Sequence, residues 1–244
     1  MAEQLTLLTG ASSDIGMALA RHLLMKTERT IVAHSFRGGS RIEELQRTFG
    51  DRVHPVEADL SDLSAVRALA DRVMAMGELS AVVHLPALRP VNDRFTKFNW
   101  EHFEQDLSIQ VRSIAVLLQR LLPKMSKTPG TRVVFMLSSY VHGVPPKFTA
   151  MYTIVKYAQL GLMRSLAAEY AATRVRINGM SPSMVQTQFL GNIAEMAVEM
   201  SAAANPRGRN ATPDDLLGVF DLLLSPASEY MMGVDVPVAA GSVV

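Results

Sequence analysis

Tyr152 and Lys156 stand four residues apart in a stretch of helical period, which places both side chains on one helix face. When hydride reduces a carbonyl, the nascent alkoxide needs a proton, and a phenol can supply it or take it back in the reverse direction. The ordinary phenol pKa of about 10 is too high for easy exchange near neutrality. A cation that lowers it is the chemical reason to want a lysine at this spacing. A third group should hold the carbonyl oxygen, and Ser138 and Ser139 follow the apolar run Arg132 to Leu137. The hydroxyl of Ser139 could polarise that oxygen, with Ser138 its near rival.

These residues are far apart in the chain, so the fold has to bring them to one edge. Seven short apolar runs read as strands: Leu5 to Thr9, Thr30 to Ser35, Val53 to Glu57, Ala81 to Leu85, Arg132 to Leu137, Val175 to Gly179 and Val234 to Val238. Between them, Ile15 to Lys26, Arg41 to Phe49, Leu63 to Met76, Trp100 to Met125, Tyr152 to Ala172 and Pro213 to Leu224 carry apolar residues three and four apart and read as helices. Strands apolar on both faces and separated by helices imply right-handed crossovers. The expected fold is α/β: one Rossmann-type, doubly wound domain over residues 1–244, with about seven mostly parallel strands and helices on both faces. Ligands in such sheets bind beyond the carboxyl ends of the strands. The connection from Ser181 to about Asn210 carries few structure signals, and residues 183–210 are a candidate lid over that edge.

The first strand runs into Gly10-Ala11-Ser12-Ser13-Asp14-Ile15-Gly16 and then a helix. Glycines permit a tight turn, and the N–H groups at the helix N-terminus suit a pyrophosphate. A carboxylate at Asp14 would repel phosphate unless it turns away, so it is expected to cap the helix. At the tip of the second strand, His34-Ser35-Phe36-Arg37 lacks the carboxylate that would bind a ribose 2′-hydroxyl. NADP(H) is therefore expected over NAD(H), with Ser35 and Arg37 at the 2′-phosphate, because a guanidinium engages such oxygens in pairs. Asp59 and Leu60, after the third strand, could hold adenine through a carboxylate and a backbone N–H.

Taken together, the Thr9-Gly10 turn, Ser139, Tyr152, Lys156 and the tail from Gly233 to Gly241 resemble the short-chain dehydrogenase/reductase family over nearly the whole chain, in its single-domain form similar to 3-oxoacyl-carrier-protein reductases. The resemblance implies ketoreductase chemistry. The family's serine lies thirteen residues before its tyrosine, which selects Ser139. It also implies that Tyr152 is the acid/base and that Lys156 binds the nicotinamide ribose and lowers the tyrosine pKa. Asp59 and Leu60 would flank adenine, with Pro182 and Thr187 near the nicotinamide amide. A dimer or tetramer packed through the two long helices is implied as well. Two departures stand out. The family's Asn-Asn-Ala-Gly after the fourth strand is His84-Leu85-Pro86-Ala87, where Pro86 lacks a backbone N–H in the cofactor region. The asparagine that helps to link the lysine to solvent falls at Gln110. These departures motivate an alternative, a catalytically weak or inactive NADP-binding regulatory or structural subunit.

Composition excludes other chemistry. The 244 residues contain no cysteine, so thiolate catalysis, disulfides and sulfur-ligated metals are ruled out, and no metal is expected. Lys plus Arg (24) balance Asp plus Glu (23) without blocks of either sign, which argues against nucleic acid. With no apolar span long enough for a bilayer and no leader-like start, a cytoplasmic protein acting on a small carbonyl or alcohol is expected. A sugar-nucleotide epimerase would need a longer C-terminal substrate region. The apolar Met184 to Met200 stretch reads first as lid packing, and Arg89, Arg94 and Lys97 either meet an anionic substrate or are solvated loop cations.

Overall fold

The computed structural model describes residues 5–37 and 39–242, so Gly38 of the second-strand loop and both chain ends lie outside it. Among the described residues seven strands form one sheet: β1 (Leu5–Thr9), β2 (Thr30–Ser35), β3 (Val53–Glu57), β4 (Leu79–His84), β5 (Arg132–Met136), β6 (Arg176–Pro182) and β7 (Asp235–Val238). Their order is β3-β2-β1-β4-β5-β6-β7, and every pairing is parallel. The chain order reverses between β1 and β4, which opens a crevice at their carboxyl ends.

Successive residues of the central strands point to opposite faces, and both faces are covered. Leu7, Val82, Val133 and Phe135 pack on one side against α3 (Leu63–Met76), α5 (Ser113–Met125) and α6 (Ala150–Glu169). Leu8, Val83, Val134 and Met136 pack on the other side against α1 (Asp14–Lys26), α2 (Ser40–Phe49) and α8 (Asp214–Leu224). Each fully buried Leu, Val or Phe contributes roughly 2 kcal/mol. The apolar runs on which the strands were read are thus the inner layer of a sandwich.

Several boundaries differ from expectation, among them those of α6, which spans Ala150–Glu169 where Tyr152 to Ala172 was expected. β4 begins earlier and ends at His84, although Leu85 N still donates to Thr9 O at 3.2 Å. β6 runs on to Pro182 because Ser181 and Pro182 pair with Pro237 and Val238 of β7. The helix expected from Trp100 to Met125 is interrupted: α4 (Trp100–Leu107) passes through a π turn, Ser108–Arg112, before α5 begins. The region read as a lid contains a short 3₁₀ turn at Gln188–Asn192 and α7 (Glu195–Ala204).

Gly179 sets how closely α6 approaches the sheet. A β-carbon there would lie 2.8 Å from Met163 Sδ and 2.9 Å from Leu137 Cδ1. A bare backbone at that point lets the helix carrying Tyr152 and Lys156 lie against β6.

Candidate active site

A single cavity of about 470 Å³ lies at the carboxyl ends of the strands. Of the expected site residues it is lined by Gly10, Ser12, Ser13, Asp14, Ile15, Asp59, Leu60, Pro86, Ser139, Tyr152, Lys156, Pro182 and Thr187. Gly16, Ser35, Arg37 and Gln110 are not part of the lining.

At the nucleotide end, Gly10 adopts φ +74°, and a β-carbon there would come within 3.2 Å of Pro86 N. The turn is therefore packed directly against the proline, which closes a contact that would leave little room for an N–H donor. Gly16 lies behind the turn, where a β-carbon would be 2.5 Å from Gly10 O and 2.7 Å from Ala11 O. The first-turn N–H groups of Asp14 and Ile15 open onto the cavity, as helix geometry requires of orphan donors. A dinucleotide pyrophosphate fits this cradle of small residues and free donors.

Asp14 does not cap α1. Ser13 takes that role, its Oγ accepting from Gly16 N at 3.0 Å, because its extended backbone precedes the helix while Asp14 already lies in the first turn. The Asp14 carboxylate instead accepts from Arg41 Nη1 at 2.9 Å and, through its other oxygen, from Gln188 N at 2.7 Å. It is neutralised, and it ties the nucleotide turn to the 3₁₀ turn at Gln188–Asn192. Arg41 also donates to Ser12 O at 2.9 Å and lines the cavity. Arg37 is exposed, its guanidinium stacked on the Phe36 ring at 4.7 Å. The cation at the nucleotide end of the cavity wall is thus Arg41, four residues beyond the Arg37 that strand-tip reasoning singles out. Ser35 is buried in β2, and its carbonyl accepts from Ala58 N. Asp59 Oδ1 is occupied by Ser61 N and Oγ at 2.8 and 2.7 Å. His34 lies beneath the turn, accepting from Gly10 N through Nδ1 at 3.2 Å and donating through Nε2 to Ala58 O at 3.0 Å. Burial lowers its pKa, which keeps that tautomer neutral.

At the other end, Tyr152 packs edge-on against Tyr140, with ring centroids 5.7 Å apart. Burial raises its phenol pKa, and a hydrogen bond with the Ser138 hydroxyl opposes that shift. The Ser138 hydroxyl also caps the following turn by accepting from Tyr140 N at 3.3 Å. Ser139 is equally buried and lines the same cavity. Position in sequence favours Ser139, and the effect on the Tyr152 phenol favours Ser138. Ser138→Ala is expected to lower kcat by roughly 10²-fold, as the loss of one oxyanion donor does, and Ser139→Ala by much less. Equal rates in the two variants, or the reverse order, would overturn this assignment.

Lys156 Nζ lies 5.5 Å from the Tyr152 ring centroid and donates to Met136 O at 2.8 Å and Gln159 Oε1 at 2.9 Å. Burial lowers its pKa to about 8, partly offset by the Asp106 carboxylate. Its bonds turn it toward the protein, and burial dominates at Tyr152, so the phenol keeps its proton.

Gln159 reaches onward, its Nε2 donating to Gln110 O at 2.9 Å. The π turn presents that carbonyl, which also accepts from His84 Nε2 at 3.2 Å. Gln110's own side chain turns away, donating to the buried Asp106 carboxylate at 2.7 Å. The group of Gln110 that faces the lysine network is therefore its backbone oxygen. His84 is fully buried and neutral, its pKa lowered to about 3 chiefly by desolvation, and its Nδ1 meets Thr9 Oγ1 at 2.9 Å. It braces the turn. Sequence reasoning missed Gln159, although its place three residues after Lys156, on the same helix face, was the available signal.

The family profile described as enoyl-(acyl carrier protein) reductase matches residues 10–242. A cis-4-hydroxycyclohexanecarboxylate dehydrogenase of Sinomonas cyclohexanicum is 26% identical, over 98% of this chain and 96% of its own length. The human dehydrogenase/reductase SDR family member 4 is also 26% identical, over 99% of this chain and 88% of its own. Two solved structures superpose closely. One, from Beutenbergia cavernae, is described as an NAD(P)-dependent gluconate 5-dehydrogenase with bound NADP at low occupancy (TM-score 0.90, 24% identity, 99% and 97% of the two chains). The other is a 3-ketoacyl-(acyl-carrier-protein) reductase of Brucella melitensis complexed with NADH (TM-score 0.88, 22% identity, 99% and 98%). At these identities the structures bear on the fold alone. With the profile match running from the Gly10 turn to the end of the described residues, the chain belongs to the short-chain dehydrogenase/reductase family of oxidoreductases.

Proposed function

We propose that this chain interconverts a ketone and a secondary alcohol with NADP(H), using Tyr152 as the acid/base. The observation that carries this reading is that Tyr152, Lys156 and the Ser138–Ser139 pair line the same cavity as the Gly10–Ile15 turn. A reduced nicotinamide, when bound, supplies the hydride that goes to the carbonyl carbon. Tyr152 Oη, protonated at neutral pH, gives its proton to the carbonyl oxygen as the alkoxide forms. Ser138, with Ser139 beside it, holds the oxygen. Lys156, anchored by Met136 O and Gln159, stands beside the phenol and offers its remaining donor to a ribose hydroxyl. Residues 183–210 act as the lid, fastened at Gln188 N to Asp14. The Sinomonas relative is named for a ring secondary alcohol, which fits this chemistry.

Support for NADP(H) is the absence of a carboxylate at the tip of β2 and the presence of Arg41 at the cavity wall, where Asp14 already holds it. The test is nicotinamide absorbance during turnover of a ketone panel, with NADPH and NADH side by side in wild type, Arg41→Ala and Arg37→Ala. NADPH should be preferred, Arg41→Ala should raise KM for NADPH by about tenfold with little change for NADH, and Arg37→Ala should do less. Tight NADPH binding without turnover across the panel would favour the non-catalytic subunit instead.

A further inference from the structure

We propose that Arg89 forms an anion subsite at the substrate end of the cavity, and that the substrate is an apolar ketone or alcohol carrying a carboxylate. The proposal rests on the oxidoreductase reading above, and adds the substrate's class.

Three cations follow β4, all of them exposed, and of these only Arg89 lines the cavity; Arg94 and Lys97 stand at the start and end of the turn at Phe95–Lys97. The backbone on both sides of Arg89 is fixed. Leu88 N donates to the buried Asp106 carboxylate at 2.9 Å, and Pro90 is buried with its φ set by its ring. Asp106 is held in turn by Gln110 Nε2. The guanidinium thus extends from a rigid point.

Across the opening it lies against the lid. A β-carbon on Gly191 would sit 3.4 Å from Arg89 Nη1 and 3.7 Å from its Cζ. The guanidinium thus stands within van der Waals reach of the lid at Gly191. Since Gln188 N is bonded to Asp14, the lid segment that meets Arg89 is the one already fastened to the nucleotide turn.

The other charged groups of the cavity wall already have partners. Arg41 is paired with Asp14, Asp59 is occupied by Ser61, and Lys156 is bonded to Met136 O and Gln159. Among the described residues Arg89 makes no hydrogen bond or ion pair, so its donors are free. The same cavity is lined by the apolar Leu88, Ile109, Phe189, Leu190 and Ile193, with Asn92 and Gln105 as neutral polar members. An apolar wall with one guanidinium at its rim selects a molecule with an apolar body and one planar anion, which the guanidinium can take in a bidentate grip. Arg89 is itself exposed to solvent, so the discrimination is moderate.

The test is equilibrium binding of cyclohexanecarboxylate and of cyclohexanecarboxamide to the NADPH-saturated protein, in wild type, Arg89→Lys and Arg89→Met. Wild type should bind the carboxylate about tenfold more tightly than the amide, Arg89→Lys should keep part of the difference, and Arg89→Met should abolish it. Equal affinities in wild type, a difference that survives in Arg89→Met, or no binding of either molecule would overturn the proposal. Kinetics with 4-oxocyclohexanecarboxylate and its methyl ester separate the two readings. A carboxylate preference in binding without reduction of either ketone retains the subsite and refutes the hydride-transfer reading. Reduction of both ketones with equal KM retains the enzyme and refutes the subsite.

Discussion

Tyr152→Phe should lower turnover by roughly 10²- to 10⁴-fold while NADPH affinity changes by no more than about twofold. The substitution removes one oxygen and keeps the ring, so the edge-on contact with Tyr140 and the packing against Phe189 survive. What disappears is the one acidic proton that the cavity places beside a hydroxyl suited to hold a carbonyl oxygen. Because burial raises the phenol pKa, that proton is in place at neutral pH and reduction does not wait for a protonation step. Measured kcat against NADPH dissociation constants in both proteins decides the matter. Retention of more than about a tenth of the wild-type rate would show that another group or water delivers the proton.

Gly16→Ala should all but abolish cofactor binding and lower the melting temperature. The added carbon would meet Gly10 O at 2.5 Å, and Ala11 Cα and O at 2.7 Å. All three are backbone atoms, so no rotamer change relieves the clash and the nucleotide turn has to open. Overpacking strain of about 3 kcal/mol corresponds to on the order of a 10²-fold loss of affinity if the turn must close again to bind. Gly218→Ala provides the contrast. That glycine lies on an exposed face of α8 with nothing within 4 Å of the added carbon. Removing a flexible residue from a helix interior there should stabilise the protein by about 0.5–1 kcal/mol. Nicotinamide binding and thermal denaturation of the two variants should move in opposite directions. A Gly16→Ala protein that binds NADPH normally would mean that the turn relaxes freely and does not form the cradle.

Much of the architecture was legible because it depends on local periodicity. Leu7 and Leu8, or Val133 and Val134, announce a strand buried on both faces by being apolar side by side. Tyr152 and Lys156 announce a shared helix face by their spacing. Less legible was the π turn at Ser108–Arg112, since α4 and α5 continue one helical period through it and no proline or glycine marks the change. Its consequence, the carbonyl of Gln110 turned toward His84 and Gln159, made the backbone rather than the side chain the relevant group.

What the amino-acid sequence determined by itself was therefore everything that rests on a residue's type and its near neighbours: the α/β layering, the glycine turn opening α1, the Tyr152–Lys156 pair, and the absence of thiol chemistry. Tertiary structure alone decided which of two nearby arginines lines the nucleotide end, that Asp14 clasps the lid while Ser13 caps the helix, and that Arg89 faces the cavity while Arg94 and Lys97 do not. The physical reason is common to all of these. Each depends on the direction of a side chain, and that direction is set by partners tens to more than a hundred residues away in the chain: Arg41 for Asp14, Asp106 for Leu88, and Gln188 across the sheet from the first turn.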